Sequence, residues 1–182
     1  PETLPFIDNI ALAILGPEAP ELTLKQGRQL FERKVPLMVD PGQVTSAFSR
    51  DQVRELLTLA TYLIVNHHEF EVLLKNGELN DAEIYAQVPE VVLTRRDKGV
   101  VITSGARSCL VEAVAGLDIK DVTGCGDAFR AGYAYGILNK LDLEGKGQFG
   151  CIMAARNIES PETQRYQINV DQLHTLRSKI YG

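Results

Sequence analysis

Short apolar runs separated by amphipathic segments are the feature of this sequence that most limits its fold. Residues 10–16 and 35–42 are such runs, and each is closed by an adjacent pair of proline and glycine. Between them, Thr23 and Gln26 have the spacing of a capping box, which predicts the start of a helix. Together these segments predict a strand, a helix and a second strand.

The same order of segments is repeated further along the chain. Ser49 and Gln52 form a second capping-box pattern, ahead of an amphipathic segment and an apolar run at residues 62–65. Two more apolar runs, at residues 90–94 and 99–103, are joined by a polar turn and predict consecutive strands. Because near-continuous apolar strands alternating with helices are typical of parallel sheets, the sequence predicts an α/β fold with a mostly parallel central sheet and helices on both faces.

The last third of the sequence is mainly helical by pattern. A stripe of small residues recurs at helical spacing and predicts a helix in close contact with the sheet; it consists of Ala128, Gly132 and Gly136. Further helices are predicted at residues 149–158 and after Asn169, which has a capping-box partner three residues later. No linker or low-complexity tract divides the chain, so we expect a single α/β domain over residues 1–182.

The composition is that of a globular protein with one substantial core. Of the 182 residues, 45% are hydrophobic and 24% are charged, and no apolar run has the length of a membrane span. The formal net charge of −5 disfavours nucleic acid and anionic membranes as partners. Cys109, Cys125 and Cys151 lack the spacing of a disulfide framework or a zinc site, which favours a reducing, cytoplasmic location.

The segment DVTGCGDAFRAG at residues 121–132 combines a turn of two glycines, a carboxylate and the start of a helix. Gly124 and Gly126 can leave their amides uncovered, and the amino end of a helix adds positive charge, so the turn predicts a cradle for an anion. Asp127 lies at the mouth of this cradle, where it could accept the proton of a hydroxyl that attacks phosphorus. A glycine turn with an aspartate near a helix start is also a common structural pattern without any ligand, and the short match alone favours that interpretation.

Other catalytic patterns are missing or weak. The sequence has no GxxxxGK[ST] or GxGxxG loop and no GxSxG motif, which argues against P-loop enzymes, Rossmann dehydrogenases and α/β-hydrolases. His67 and His68 lack a third metal ligand at a suitable spacing, so surface or capping roles are expected there.

Over residues 121–136 the sequence resembles the C-terminal signature of the ribokinase-like (PfkB) carbohydrate and nucleoside kinases, DTTGAGDAFxAG followed by a helix of small residues. The resemblance implies that Asp127 is the catalytic aspartate. It also implies that Gly124, Cys125 and Gly126 form the anion hole, with Cys125 in place of the usual alanine or glycine.

Weaker similarities to the family lie upstream, in the family's order. Asn66 and Glu69 match its NxxE element, which implies a role in arranging Mg²⁺ and phosphates through water; the same spacing also fits a helix N-cap and its capping-box partner. Thr94 and Gly99 match the ends of its nucleotide loop. Arg96 stands where the family has a glycine, and it either reaches a phosphate or is solvated.

The C-terminal tail resembles that of adenosine-kinase-type members, with Glu162 in the place of a glycine ahead of Thr163 and Gln164. The resemblance implies a nucleotide-binding role for Thr123. It also implies a monovalent-cation site built from Asp121, Thr123 and the tail, but the tail departs from the family pattern, so potassium activation is not expected.

The resemblance implies ATP-dependent phosphoryl transfer, with Mg²⁺, to a hydroxyl of a sugar or nucleoside, and a homodimer in the full-length protein. The family's N-terminal half and β lid lie outside these residues. We therefore expect the C-terminal nucleotide-binding portion of a larger kinase, with little turnover on its own. The alternative is a non-catalytic nucleotide-binding or regulatory relative, in which Gly42, Arg96 and Glu162 mark lost contacts.

Overall fold

The computed structural model of the protein describes residue 4, residues 9–162 and residues 166–182. The chain forms two compact units that alternate along the sequence. The first unit consists of Pro1–Thr94 and Thr103–Ser108, and the second unit of Arg95–Ile102 and Cys109–Gly182. The single domain expected for residues 1–182 stays a prediction.

Strands and helices alternate in the first unit, as the sequence pattern predicts. In chain order they are β1 (Ala13–Leu15), α1 (Pro20–Glu32), β2 (Leu37–Val39), α2 (Arg50–Leu59), β3 (Tyr62–Asn66), α3 (His67–Gly77), α4 (Asp81–Gln87) and β4 (Glu90–Thr94), with a 3-10 helix at Gly42–Ala47. β1 pairs in parallel with β2, β2 with β3, and β3 with β4. The strands predicted at residues 62–65 and 90–94 are confirmed, whereas β1 and β2 are shorter than the apolar runs that contain them.

Two further strands, β5 (Val100–Ser104) and β6 (Arg107–Val111), follow along the chain. The described strands form a six-stranded sheet in the order β1-β2-β3-β4-β5-β6. Gly105 and Ala106 alone connect β5 to β6, and so short a connection permits only an antiparallel pair. Gly105 has a φ of 57°, which a tight hairpin turn requires. The sheet is therefore mostly parallel, as predicted.

The middle strands are buried on both faces. In β2, Leu37, Met38 and Val39 each have 0% of their surface exposed. Successive side chains of a strand point to opposite faces, so both faces of β2 are covered. Burying a side chain of this size stabilises the fold by roughly 1.5–3 kcal/mol. The core of the first unit gathers apolar residues from its helices and strands, including Leu24, Leu30, Leu37, Val39, Val53, Leu56, Leu63, Val65, Phe70 and Val91.

Helix starts are the local features that the sequence predicts best. The predicted capping box of Ser49 and Gln52 is confirmed at α2. The prediction at Thr23 is wrong, because α1 begins at Pro20 and its N-cap, Ala19, makes no side-chain hydrogen bond. Proline is well suited to the first helical position, where no amide donor is needed. Thr23 is instead a buried residue inside α1.

The second unit contains α5 (Cys125–Leu138), α6 (Leu143–Ile158) and α7 (Val170–Tyr181). The predicted capping box at the start of α7 is confirmed. The stripe of small residues on α5 faces α6, not the sheet as predicted: a Cβ atom on Gly132 would lie 2.2 Å from the carbonyl oxygen of Phe149. No helix in the described part of the chain is both long and apolar enough to cross a membrane.

The helix predicted at residues 149–158 begins earlier, at Leu143. The side chain of Asp142 accepts a hydrogen bond from the amide of Gly145 at 2.8 Å and so caps the helix. The glycines in the first turns of α6 weaken the helical pattern of its sequence, which explains why the pattern misses its start.

Candidate active site

The carboxyl ends of the parallel strands in the first unit lie at one edge of the sheet. Asn66 ends β3 and Thr94 ends β4, and the two residues are partners in the strand register. The hydroxyl of Thr94 donates to the carbonyl oxygen of Val65 at 3.4 Å. Asp40 directly follows β2, and its carboxylate accepts from the amide of Gly42 at 2.9 Å. Ligands of open parallel sheets bind outside this edge.

Asn66 and Glu69 form a reciprocal capping box at the start of α3. The amide of Asn66 donates to Oε2 of Glu69 at 2.8 Å, and the amide of Glu69 donates to Oδ1 of Asn66 at 2.9 Å. The capping interpretation is therefore confirmed. Oε1 of Glu69 has no hydrogen bond to any residue that the structure describes, so capping leaves one carboxylate oxygen available. The role in arranging magnesium stays a prediction.

The end of β4 leads into the turn that matches the family's nucleotide loop. Arg96 begins a 3-10 turn, is exposed, and has a φ of 55°. A non-glycine residue in this left-handed region costs of the order of 1–3 kcal/mol. Gly99 closes the turn with a φ of 79°, and a Cβ atom there would lie 2.0 Å from the carbonyl oxygen of Val111. Glycine is thus required at 99, while Arg96 keeps a backbone conformation that glycine would adopt without strain.

The glycine turn ahead of α5 presents unengaged amides. Gly124 is the N-cap of α5, with a φ of 76° and a ψ of 5°. Within the described residues, the amides of Gly124, Gly126 and Asp127 donate to no acceptor. The amide of Cys125 donates to the carbonyl oxygen of Val122 at 3.2 Å, inside the turn. The amides at the mouth of the helix therefore belong to Gly124, Gly126 and Asp127, and the positive end of α5 lies behind them.

Space for a ligand exists directly in front of this turn. A Cβ atom on Gly126 would meet no atom within 4 Å, and Gly126 is exposed. Asp127 is the third residue of α5, and its side chain is 54% exposed. Its carboxylate is held by an ion pair with Arg130, one turn further along the helix, whose side chain is only 12% exposed. The turn can therefore admit an anion beside an anchored carboxylate.

The segment that leads into the turn is fixed by the end of α6. The amides of Lys120 and Asp121 donate to the carbonyl oxygen of Ile158, at 2.9 and 3.2 Å. The side-chain amide of Asn157 donates to the carbonyl oxygen of Thr123 at 2.7 Å. Asp121 Oδ1 accepts from the amide of Thr123 at 2.8 Å, and this hydrogen bond is the main cause that lowers the pKa of Asp121.

The model of the pfkB carbohydrate kinase family matches residues 6–169 of the sequence. The chain belongs to the pfkB family. It is 29% identical to a nucleoside kinase of Methanocaldococcus jannaschii over 86% of the chain and 51% of the relative, and 27% identical to a ribokinase of Bacillus subtilis over 79% and 47%. The chain thus spans about half the length of the curated relatives that it matches.

Solved structures give the same result for the fold of this pfkB chain. A nucleoside kinase of Burkholderia thailandensis, solved in complex with inosine, superposes with a TM-score of 0.93 and 30% identity, covering 96% of the chain and 59% of that protein. A ribokinase of Arabidopsis thaliana, complexed with ribose and ATP, superposes with a TM-score of 0.80 over 97% of the chain and 60% of that protein, at 17% identity. The ribokinase-like fold predicted from the sequence is confirmed.

The residues that the pfkB resemblance singles out fall into two groups. Asn66, Glu69 and Thr94 come together at the sheet edge of the first unit. In the second unit, Arg96 and Gly99 lie on the turn after β4. The other residues lie on the segment ahead of α5 and in its first turn: Asp121, Thr123, Gly124, Cys125, Gly126 and Asp127. Thr163 and Gln164 of the tail lie outside the described residues, so the cation site that depends on them stays a prediction.

Two residues that support the glycine turn of the pfkB signature were missed at the sequence level. Arg130 holds Asp127, and the spacing of three residues between them on a helix was a usable signal. Asn157 holds Thr123 from 34 residues away, and no local pattern indicates such a contact. A cavity of about 240 Å³ at the carboxyl end of β1, lined by Gly16, Pro17, Thr23 and Gln26 among others, was also not foreseen.

The cysteines near the signature are poorly suited to act as nucleophiles. Burial raises the pKa of the Cys125 thiol, and burial raises the pKa of Cys151 to about 12. Both groups therefore stay protonated near neutral pH, where a reactive cysteine must be a thiolate. In the described residues, no group of three or more histidines, cysteines and carboxylates could hold a metal ion.

Proposed function

We propose that the protein is an ATP-dependent kinase that transfers the terminal phosphoryl group of ATP to a hydroxyl of a nucleoside. One observation carries this proposal: the exposed, anchored carboxylate of Asp127 stands at the mouth of a turn whose Gly124 and Gly126 amides have no acceptor among the described residues. Both a proton acceptor and an anion cradle are needed for phosphoryl transfer to a hydroxyl. The turn offers both within four consecutive residues.

The chain's own residues divide the work in a simple way. The amides of Gly124, Gly126 and Asp127, with the positive end of α5, stabilise the charge on the phosphoryl group while it moves. Asp127 orients the attacking hydroxyl and takes its proton. Because phosphoryl transfer passes through a loose transition state, this orientation contributes more than early removal of the proton. Arg130 keeps the carboxylate in one position through its ion pair.

A nucleoside is favoured over a sugar as the acceptor. The nucleoside kinase of Burkholderia thailandensis is 30% identical and superposes with a TM-score of 0.93, and that protein was solved in complex with inosine. The Bacillus subtilis ribokinase is 27% identical over a smaller share of the chain. A sugar acceptor is therefore the second choice, and a panel of acceptors separates the two.

ATP and Mg²⁺ fit the residues at the sheet edge of the first unit. A structure of the Burkholderia thailandensis enzyme was solved in complex with ADP-inosine, which supports an adenine nucleotide as the donor. Oε1 of Glu69, which makes no bond to the described residues, and the side chain of Asn66 offer the oxygen chemistry that hydrated magnesium prefers. Magnesium, when bound, offsets the charge of the phosphates.

The proposal also extends to the setting of the enzyme. ATP-dependent turnover and reduced cysteines suit the cytoplasm. A homodimer of the full-length protein is proposed on the family resemblance, and light scattering of the purified protein tests it.

The first experiment replaces Asp127 by asparagine in the full-length protein. Asparagine keeps the size of the side chain but cannot take the proton, so we expect kcat to fall by about 100-fold or more while the affinity for ATP stays nearly the same. Steady-state rates with ATP, Mg²⁺ and a panel of nucleosides and sugars measure kcat, and calorimetry measures the affinity for ATP.

Asp171→Asn is the matched control, because Asp171 also lies in the first turn of a helix, α7, and is exposed. It should leave kcat unchanged. An Asp127→Asn enzyme as active as the wild type would overturn the proposed role. Wild-type protein that binds ATP without any transfer to an acceptor would instead support the regulatory alternative.

A further inference from the structure

Asn157 occupies an unusual position near the end of α6. It is 1% exposed, and its Nδ2 atom donates to the carbonyl oxygen of Thr123 at 2.7 Å. Its Oδ1 atom is also buried, yet it has no hydrogen-bond partner among the residues that the structure describes. A buried acceptor without a partner costs free energy of folding. A leucine of similar shape would fill the same space without that cost, so packing alone does not account for an amide here.

The bond that Asn157 does make acts on a specific peptide group. The carbonyl of Thr123 and the amide of Gly124 belong to the same planar peptide unit, so the direction of one fixes the direction of the other. Gly124 has a φ of 76°, in the region that only glycine enters freely, and glycine permits such a peptide to rotate with little steric resistance. A hydrogen bond to the Thr123 carbonyl opposes this rotation.

The residues just ahead of Thr123 are also held by the end of α6. The carbonyl oxygen of Ile158, next to Asn157, accepts from the amides of both Lys120 and Asp121. Asn157 is thus the last of a set of contacts from α6, and it is the one that touches the peptide ahead of Gly124. The amide of Gly124 is also one of the unengaged donors at the mouth of α5.

We propose that Asn157 is a positioning residue that aims the amide of Gly124 at the phosphoryl group in transfer. It touches neither substrate nor reacting atoms and acts through the Thr123–Gly124 peptide. The link to phosphoryl transfer rests on the proposed function, whereas the control of the peptide's orientation does not.

The test replaces Asn157 in the full-length protein by leucine and, separately, by aspartate. Leucine removes both the donor and the unpaired acceptor, and aspartate keeps the shape but removes the donor. We expect kcat to fall by about 10-fold or more in both variants, with the KM of the acceptor nearly unchanged. The affinity for ADP with Mg²⁺ and aluminium fluoride, which imitates the moving phosphoryl group, should fall by a similar factor, while the affinity for ADP alone should not.

The melting temperature separates positioning from simple stabilisation. The leucine variant should melt close to the wild-type temperature, because removal of the unpaired buried acceptor offsets the loss of the hydrogen bond to Thr123. Asn76→Leu is the matched control: Nδ2 of Asn76 also ties a helix to a loop carbonyl, that of Phe48 at 3.0 Å. That variant should keep the wild-type kcat and the wild-type affinity for the fluoride complex.

Three outcomes overturn the proposal. The first is a wild-type kcat and fluoride-complex affinity in the leucine and aspartate variants, and the second is loss of folding in both. The third needs no activity at all: a crystal structure of the leucine variant in which Gly124 keeps its φ near 76° and its amide direction. If the wild-type protein neither binds nucleotide nor transfers phosphate, the proposed function fails, and the crystal structure alone decides the role of Asn157.

Discussion

The two glycines of the turn differ in whether the backbone needs a glycine at their position. Gly124 needs its positive φ, whereas Gly126 lies in α5 with open space in front of it, so its lack of a side chain is not demanded by packing. Arg96 shows the opposite case, because a bulky residue keeps a left-handed backbone where glycine would be free of strain. A contact between the Arg96 side chain and a phosphate stays a prediction.

Gly126→Ala tests the cradle at the residue scale. Alanine is the better helix former by roughly 0.5–1 kcal/mol, and no atom lies within 4 Å of the added methyl group, so denaturant unfolding should show equal or higher stability. The same methyl group would project into the space that we propose for the phosphoryl group. We therefore expect phosphoryl transfer to fall by about 10-fold or more, and a stable variant with full activity would contradict the cradle.

Helix starts that depend on neighbouring residues agree with the sequence-based predictions, whereas contacts between distant residues do not. The capping boxes at Ser49, Asn66 and Asn169 can be read from the sequence, because each consists of two residues three positions apart. All three are present in the structure. The partner of the Gly132 stripe and the contact from Asn157 to Thr123 depend on how separate helices pack, which no short window reports. The predicted helix start at Thr23 is wrong because Pro20, three residues earlier, is itself a favourable first residue of a helix. The helix therefore begins at Pro20.

Gly99→Ala tests the turn between β4 and β5 at the scale of elements. The new Cβ atom would lie 2.0 Å from the backbone of Val111, at a φ of 79°, so we expect a loss of roughly 2–5 kcal/mol in the free energy of unfolding. Gly105→Ala is the matched control, since Gly105 also has a positive φ but no atom within 4 Å. Its loss should be near 1 kcal/mol. Equal losses in urea melts of the two variants would mean that the close approach at Gly99 is unimportant.

At the scale of the whole molecule, the alternation of apolar runs and helices was sufficient to predict an α/β fold with a mostly parallel sheet. Periodicity suffices for this because strands buried on both faces and amphipathic helices have distinct repeats. The candidate site was reached differently, through a dozen residues of the signature that contain Asp127. Their chemistry is local in sequence, as is the spacing of Asp127 and Arg130, while the contact from Asn157 to Thr123 appears only once the chain is folded.

Nucleotide binding by the 182-residue chain is the prediction for the molecule as a whole. A ligand that binds only the folded state adds about 2.7 kcal/mol of stability at a concentration of 100 times its Kd. ATP with Mg²⁺ should therefore raise the melting temperature in a scanning fluorescence experiment, and adenosine without phosphates should raise it less. An identical shift with both compounds would exclude a contribution from the phosphates.

The direct contact of α5 with α6 affects how precisely the amide of Gly124 is aligned with Asn157. At Gly132 the two helices touch backbone to backbone, with no flexible side chain between them to absorb a displacement. Gly124 caps α5 and Asn157 is carried by α6, so thermal tilting of either helix moves the aimed amide and its anchor together. Their mutual alignment is thereby kept even while the pair of helices moves. A methyl group inserted at 132, about two turns from Gly124, would displace α5 against α6 and so misalign the glycine turn.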